Sequence, residues 1–347
     1  GRRRGGGLRD RAGDLDADMK RPWAMIAGTG HAAPKRIFRN DEFPAIGIDT
    51  SDEWIRDRTG IRERHIAGPD ETLTSISAIA AHKAMAVAGV TASELDMIIV
   101  GTCSADRLLP AAAVELQAVL GASRAVAFDV DAACSGWLYG MQVAEGMMAA
   151  GSAETILVVG AELLSRIVNW KDRNTCVLFG DGAGATIVKR STKQRGILST
   201  YMRSDGTLAN LLYRPKGGAA EPMTHQILDE GLHFVSMQGR EVFKNAVRSM
   251  ADACDRALDG AKLSAADIDL LIPHQANVRI IEATAKHAGI SMDKVFVNVD
   301  RFGNTSAASI PIALDEALEQ GLVKDGSIVM FVAFGAGFTW GSMVVRF

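Results

Sequence analysis

Two stretches of this chain each occur twice in altered form. "SELDMIIVGTCSAD" (93–106) is echoed by "ADIDLLIPHQANVR" (266–279): an acidic turn, an aspartate, an apolar strand, then small or polar residues at the strand exit. "FGDGAGATIVK" (179–189) is echoed by "FGAGFTWGSMVVR" (334–346): Phe-Gly, further glycines, then a closing β run. Both pairs are offset by about the same length, which implies a duplicated half. The seam is predicted at the charged, turn-prone "KRSTKQRG" (189–196). That divides the chain into an N-terminal half over 23–192 and a C-terminal half over 193–347. A pseudo-symmetric pair of α/β halves brings strand ends from both to one central cleft.

Within the halves, short β-branched runs alternate with helical patterns. Strands are predicted at 97–101, 155–160, 185–189, 269–273 and 327–335, and helices at 75–88, 137–150, 239–258 and 306–320. The alternation indicates an α/β fold with substantial parallel pairing. The 347 residues suffice for two core-forming halves, and a net charge of −3 argues against a nucleic-acid binder. Apolar runs are too short to span a membrane. Residues 1–18, "GRRRGGGLRDRAGDLDAD", lack the apolar centre of a secretory signal. Residues 1–22 are expected to be a disordered leader, or a basic arm.

Cysteines stand at 103, 134, 176 and 254, with no CxxC pair and so no zinc or thioredoxin-like pattern. Their scatter fits a reducing compartment such as the cytoplasm. In "FDVDAACSGWLYGMQVAEGMMAAG" (128–151), an apolar strand runs into Cys134, and a helix starts on it. Trp137, Met141, Ala144 and Met148 form an apolar stripe, and Gly151 ends the helix. A thiol at a buried helix start is expected to be acidified, commonly to a pKa of about 3.5–7.5. The alternative is an inert core cysteine. That alternative is kept for Cys176, in the predicted strand "TCVLF", for Cys254, on a helix, and for Cys103, at a strand exit.

His274 leaves a strand at the second half's counterpart of the Cys103 loop. Asn304 lies in "NVDRFGNTSAAS", between a predicted strand and a helix. Each alone reads as a structural histidine or an ordinary helix cap. Together with Cys134 they have the form of an activated nucleophile with two carbonyl-polarising donors.

The motifs "DTSDEWIRDRTGIRERHIA" (49–67), "AACSGW" (132–137), "FGDGAGA" (179–185), "PHQANVRII" (273–281), "GNTSAAS" (303–309) and "FGAGFTWGS" (334–342) follow in order along the chain. From residue 25 onward the sequence resembles the β-ketoacyl-acyl carrier protein synthase III family of condensing enzymes. The resemblance implies a thiolase-like αβαβα sandwich of two duplicated halves, a homodimer, and no cofactor, acyl-CoA being a substrate. It implies a catalytic trio of Cys134, His274 and Asn304. In the implied reaction Cys134 takes an acyl group from acyl-CoA, and His274 and Asn304 support decarboxylation of malonyl-acyl carrier protein. The resulting enolate then attacks acyl-Cys134, giving a 3-ketoacyl product that initiates fatty acid synthesis.

Further roles follow from the same resemblance. The backbone N–H groups of Cys134 and Ala336 form an oxyanion hole, Ala336 standing where the family usually has glycine. Trp54 and Arg173 sandwich the CoA adenine, Arg58 lies near the nucleotide, and Asn277 lies near the pantetheine arm. Without the resemblance, Trp54 reads as partial core and the arginines as solvated charges. Lys244, Arg279 and Lys286 are candidates for docking the acidic carrier protein. Leu109, where small-primer members often carry an aromatic, is expected to reach across the dimer and floor the partner's acyl pocket; Leu178 and Phe243 are further pocket candidates. A relative of secondary metabolism, accepting malonyl-CoA or another acceptor, remains the alternative. Thiolase proper is disfavoured because "FGAGFTWG" holds no second cysteine.

Overall fold

The structure, a computed structural model, describes Trp23–Phe347. The expected leader over 1–22 lies outside the described residues. Two sheets organise the chain. The first contains β1 (Trp23–Ala32), β2 (Met97–Gly101), β3 (Val126–Val130), β4 (Thr155–Leu163) and β5 (Asp181–Ser191), in the order β1-β5-β4-β2-β3. The second contains β6 (Gly196–Ser204), β7 (Leu270–Pro273), β8 (Ile328–Gly335) and β9 (Thr339–Arg346), in the order β7-β8-β9-β6.

The sheets repeat one pairing scheme. In the first, β2 runs parallel to β4, and β4 and β5 pair antiparallel, as do β5 and β1. In the second, β7 runs parallel to β8, followed by antiparallel β8–β9 and β9–β6 pairs. The echoed sequences thus occupy matching strands, β2 with β7 and β5 with β9. Even the edge strand β3 has a remnant counterpart, the isolated parallel bridge Leu271–Val295. The chain leaves the first sheet after Ser191 and enters the second at Gly196.

Strand alternation decides which residues face which layer. Met97 and Ile99 of β2, Ile156 and Val158 of β4, and Val329 and Phe331 of β8 point to one shared core. Ile98, Val100, Leu157 and Val159 point the opposite way, against helices α2 (Leu73–Ala88) and α3 (Ala112–Leu120). Met330 and Val332 point outward to helices α5 (Gly239–Ala261) and α6 (Val278–Ala288). Between the sheets lie α4 (Gly136–Ala149) and α7 (Ser309–Glu319). These are the five layers of an αβαβα sandwich. The stripe Trp137, Met141, Ala144 and Met148 is at most 1% exposed. Each large apolar side chain so buried contributes about 1.5–3 kcal/mol, as an upper bound.

Two local expectations are corrected. Cys176 ends a short helix, Arg173–Cys176, rather than lying in a strand; the Asp172 carboxylate accepts from Asn174 N–H and starts that turn. The segment before Asn304 is a one-turn helix, Val299–Phe302, not a strand. Arg301 clamps it to Glu316 of α7 by a two-pronged ion pair at 2.6 and 2.7 Å, and Asn298 donates to the same carboxylate at 2.8 Å. Helix α1 (Asp52–Thr59), capped by the Ser51 hydroxyl, packs beside α6.

Candidate active site

The C-terminal ends of β2, β3, β4, β7 and β8 supply the site, as expected for parallel strands that point at one crevice. After β3 the chain makes a 3₁₀ turn, Ala133–Ser135, and then enters α4. Cys134 therefore sits in the turn just ahead of the α-helix. Ala133 holds φ at +45°, a left-handed conformation costing a non-glycine residue roughly 1–2 kcal/mol. Gly335, at the end of β8, presses on this turn; a Cβ there would meet the Cys134 nitrogen at 2.7 Å. Ala336 follows directly, and its carbonyl accepts from Thr339 Oγ1 at 3.3 Å.

His274 follows β7 and is 2% exposed. Its backbone N–H donates to Val332 at 2.7 Å, and its Nδ1 lies 2.7 Å from Ser309 Oγ. The Ser309 oxygen also accepts the Gln275 N–H at 3.4 Å. When the Ser309 hydroxyl donates to Nδ1, the proton of a neutral imidazole sits on Nε2. Burial pushes His274 down to about 3, keeping it uncharged at neutral pH.

Asn304 is fixed on three sides. Its N–H donates to Leu178, its carbonyl accepts from Gly180, and its Oδ1 accepts from Ser306 N–H at 2.8 Å. The carboxamide thus turns the chain two residues on, a local use of asparagine that is not a helix cap. The residue that does cap a helix is Asn277, whose Oδ1 accepts from Ile280 N–H at the start of α6. Buried Arg64 braces the neighbouring segment by donating to the Val177 carbonyl at 2.8 Å.

Two cavities meet at Cys134. The front one, about 570 Å³, brings Cys134, His274 and Asn304 together with Trp54, Arg58, Arg173 and Asn277. The rear one, about 540 Å³, is walled mainly by apolar residues such as Leu164, Ile167, Val168, Phe179, Leu212 and Val235. Ser306 and Ala336 join Cys134 on its wall.

The Trp54 ring carries the Arg58 guanidinium at 4.3 Å and the Arg173 guanidinium at 4.7 Å. Arg173 also donates to the Asp49 carbonyl at 2.6 Å. Arg279 is exposed, donates to the Asp57 carbonyl at 2.9 Å and lines the front cavity. Lys244 on α5 and Lys286 on α6 are exposed and line neither cavity. Arg240, which the sequence reading did not single out, joins the front rim.

Leu178 and Phe243 line the front cavity, not the rear one. Leu109 is 86% exposed and lines neither cavity of its own chain, whereas its exposed neighbour Leu108 lines the rear one.

The expected acidified thiol is also overturned. Burial pushes Cys134 up to about 12, and the Glu162 carboxylate pushes the same way. The nearby Ser306 side chain opposes them but does not prevail. Glu162, Ser306 and Ser309 escaped the sequence reading. The two serines lie inside "GNTSAAS", whereas Glu162 lies in an apolar strand with no motif to mark it.

Comparisons with known proteins bear on this geometry. Family models described as 3-oxoacyl-[acyl-carrier-protein] synthase III and its C-terminal part match residues 128–206 and 258–347. The chain is 50% identical over 324 residues to the β-ketoacyl-[acyl-carrier-protein] synthase III of Roseiflexus castenholzii, covering 93% of this chain and 98% of that one. A crystal structure of 3-oxoacyl-[acyl-carrier-protein] synthase III from Aquifex aeolicus superposes with a TM-score of 0.87 at 45% identity, covering 93% of this chain and all 100% of the other. The priming β-ketosynthase of the R1128 polyketide pathway superposes with a TM-score of 0.87 at 33% identity, over 94% of this chain and 96% of that one. With such identity sustained along nearly the whole length of both chains, this chain belongs to the β-ketoacyl-[acyl-carrier-protein] synthase III family, condensing enzymes of fatty acid synthesis with a thiolase-like fold.

Proposed function

We propose that the chain condenses an acyl-CoA primer with malonyl-acyl carrier protein through an acyl-Cys134 intermediate. The observation that carries this is the position of Cys134 where two cavities meet, beside a neutral imidazole and a fixed carboxamide. CoA occupies the front cavity, its adenine stacked at Trp54 between Arg58 and Arg173 and its pantetheine arm running past Asn277. An incoming adenine displaces one guanidinium from the indole face. The acyl chain enters the rear apolar cavity.

Cys134 sulfur attacks the thioester carbonyl, the N–H groups of Cys134 and Ala336 hold the oxyanion, and CoA departs as its thiol. Malonyl-carrier protein then docks over Lys244, Arg279 and Lys286, a surface suited to an acidic partner. His274 Nε2–H and the Asn304 amide donate to the malonyl thioester carbonyl. Both donors are neutral, so they stabilise the charge that develops on loss of CO₂ without protonating the enolate carbon. That carbon attacks acyl-Cys134, the sulfur leaves, and the 3-ketoacyl product goes with the carrier. No cofactor enters this sequence.

A homodimer in the cytoplasm completes the reading. The Leu108–Leu109 pair, 95% and 86% exposed, is suited to burial against a second copy, and the four cysteines are free thiols. Among the described residues, no helix is long and apolar enough to cross a membrane. The likeness to the R1128 priming ketosynthase keeps a role in secondary metabolism as the second reading. Condensation assays with malonyl-carrier protein and malonyl-CoA side by side separate the two. Product from the carrier-bound donor alone supports the first reading, and preference for malonyl-CoA overturns it.

A further inference from the structure

Glu162 ends β4, is 1% exposed, and has no place in the chemistry above. Among the described residues it forms no ion pair. A carboxyl group buried without a cation has to be met by hydrogen-bond donors instead. Ser104 Oγ donates to Oε2, and Thr102 Oγ1 does so at 3.2 Å. The Cys103 N–H lies 3.2 Å from Oε2 and 3.3 Å from Oε1, and the Cys103 thiol donates to Oε1 at 3.4 Å. These donors all belong to the loop that leaves β2. The Ser306 hydroxyl, which donates to Oε1 at 3.0 Å, comes from the C-terminal half.

Ser306 is bonded at both ends. Its hydroxyl is held by Glu162, and its backbone N–H donates to Asn304 Oδ1 at 2.8 Å. Its φ of +49° is a left-handed value that a residue with a Cβ keeps only when its surroundings hold it there. Gly160, two residues before Glu162 on β4, lets this turn press onto the strand, since a Cβ there would strike the Ala307 carbonyl. The main chain of Asn304 is fixed separately, by Leu178 and Gly180. What the Ser306 N–H sets is therefore the carboxamide: Oδ1 turned to Ser306, and Nδ2 left for the front cavity. A carboxamide released from Ser306 is free to turn about χ2. Turned over, it presents an acceptor where the reaction needs a donor.

We propose that Glu162 is a positioning residue for condensation: by holding the Ser306 hydroxyl it fixes the turn whose N–H orients the Asn304 carboxamide, with Nδ2 toward the substrate. This rests on the reading of Asn304 as a donor to the malonyl thioester carbonyl. Glu162 touches neither substrate nor reacting atoms, and it transfers no proton. Its charge is not what the role requires. Burial pushes the carboxyl up to about 7, and a glutamine in its place still accepts the Ser306 hydroxyl.

The test is single-turnover condensation by enzyme already acylated on Cys134, set beside the acylation step and the melting temperature. Glu162→Leu should condense about 10–10²-fold more slowly, the cost of a misaimed group, with acylation near the parent's. Glu162→Gln recovers most of that rate. In the Asn304→Asp background Glu162→Leu adds less than about twofold, because the donor it aims is already gone. Ser306→Ala cuts the same link and is read in the same way if Glu162→Leu fails to fold. Condensation at the parent's rate in both Glu162→Leu and Ser306→Ala overturns the proposal. So does a loss shared equally by acylation and condensation, which marks a structural role, and so does a loss that multiplies with that of Asn304→Asp. Glu162→Gln as slow as Glu162→Leu overturns it too, by showing that the charge is needed. Asn304→Asp condensing at the parent's rate overturns the underlying reading itself, and the proposal with it.

Discussion

Asn304→Asp separates catalysis from folding at the centre of the site. The carboxamide oxygen already accepts the Ser306 N–H at 2.8 Å, so the atom offered to the cavity is Nδ2. Aspartate keeps the shape and the acceptor, and replaces only that donor by an oxygen. Loss of one donor to a developing oxyanion costs about 2.7–4 kcal/mol, a factor of about 10²–10³ in rate. The carboxylate also repels the enolate, so that range is a floor. Asn304→Ala is the less informative change. It also orphans the buried Ser306 N–H, costing about 1–3 kcal/mol of stability, and frees the strained residue next to the nucleophile. The assay is single-turnover condensation with enzyme already acylated on Cys134, alongside the acylation step itself and the melting temperature. Asn304→Asp should condense at least about 10²-fold more slowly, with acylation and melting near the parent's. Condensation at the parent's rate would refute the assignment of Asn304 as a donor, and loss of acylation alone would move it to the other half-reaction.

Other expectations are smaller in scope. Trp54→Ala removes the ring that both Arg58 and Arg173 face; with cation–π contacts worth about 0.5–2 kcal/mol, KM for acyl-CoA should rise about tenfold while single-turnover condensation is unchanged. His274 titrates near its ordinary 6.5 when unfolded but only at about 3 when folded. Between those values the unfolded chain binds the extra proton, so this residue's contribution to stability falls as pH drops from 6.5 toward 3. Glu162, raised to about 7, works in the opposite sense over part of that window. The readout is therefore the difference in denaturant midpoint between the parent and His274→Asn, which should grow in favour of the variant as pH falls.

The sandwich was legible because duplication and alternation are local patterns. The "MIIVG" and "SIVMFVAFG" runs are buried on both faces, and the echoes at 93–106 and 266–279 land on matching strands. Cys134 and His274 could be singled out because each follows a strand, and Asn304 because it lies in a motif, although a helical turn and not a strand precedes it. What escaped depends on distant packing. Glu162 reads as a stray acid in an apolar strand until residues 102–104 and 306, far away in sequence, close over it. The Cys134 thiol was expected to be acidic because helix position is visible locally, whereas the burial that outweighs it is not. Leu178 and Phe243 were assigned to a pocket by likeness, and only the folded chain shows that the cavity they border is the front one.

The most direct measurement is the mass of the Cys134 peptide after incubation with acyl-CoA. The account predicts a mass increase equal to the acyl group on that peptide, its removal when malonyl-carrier protein is added, and none in Cys134→Ala. Acylation elsewhere, or an adduct that malonyl-carrier protein does not discharge, would contradict it.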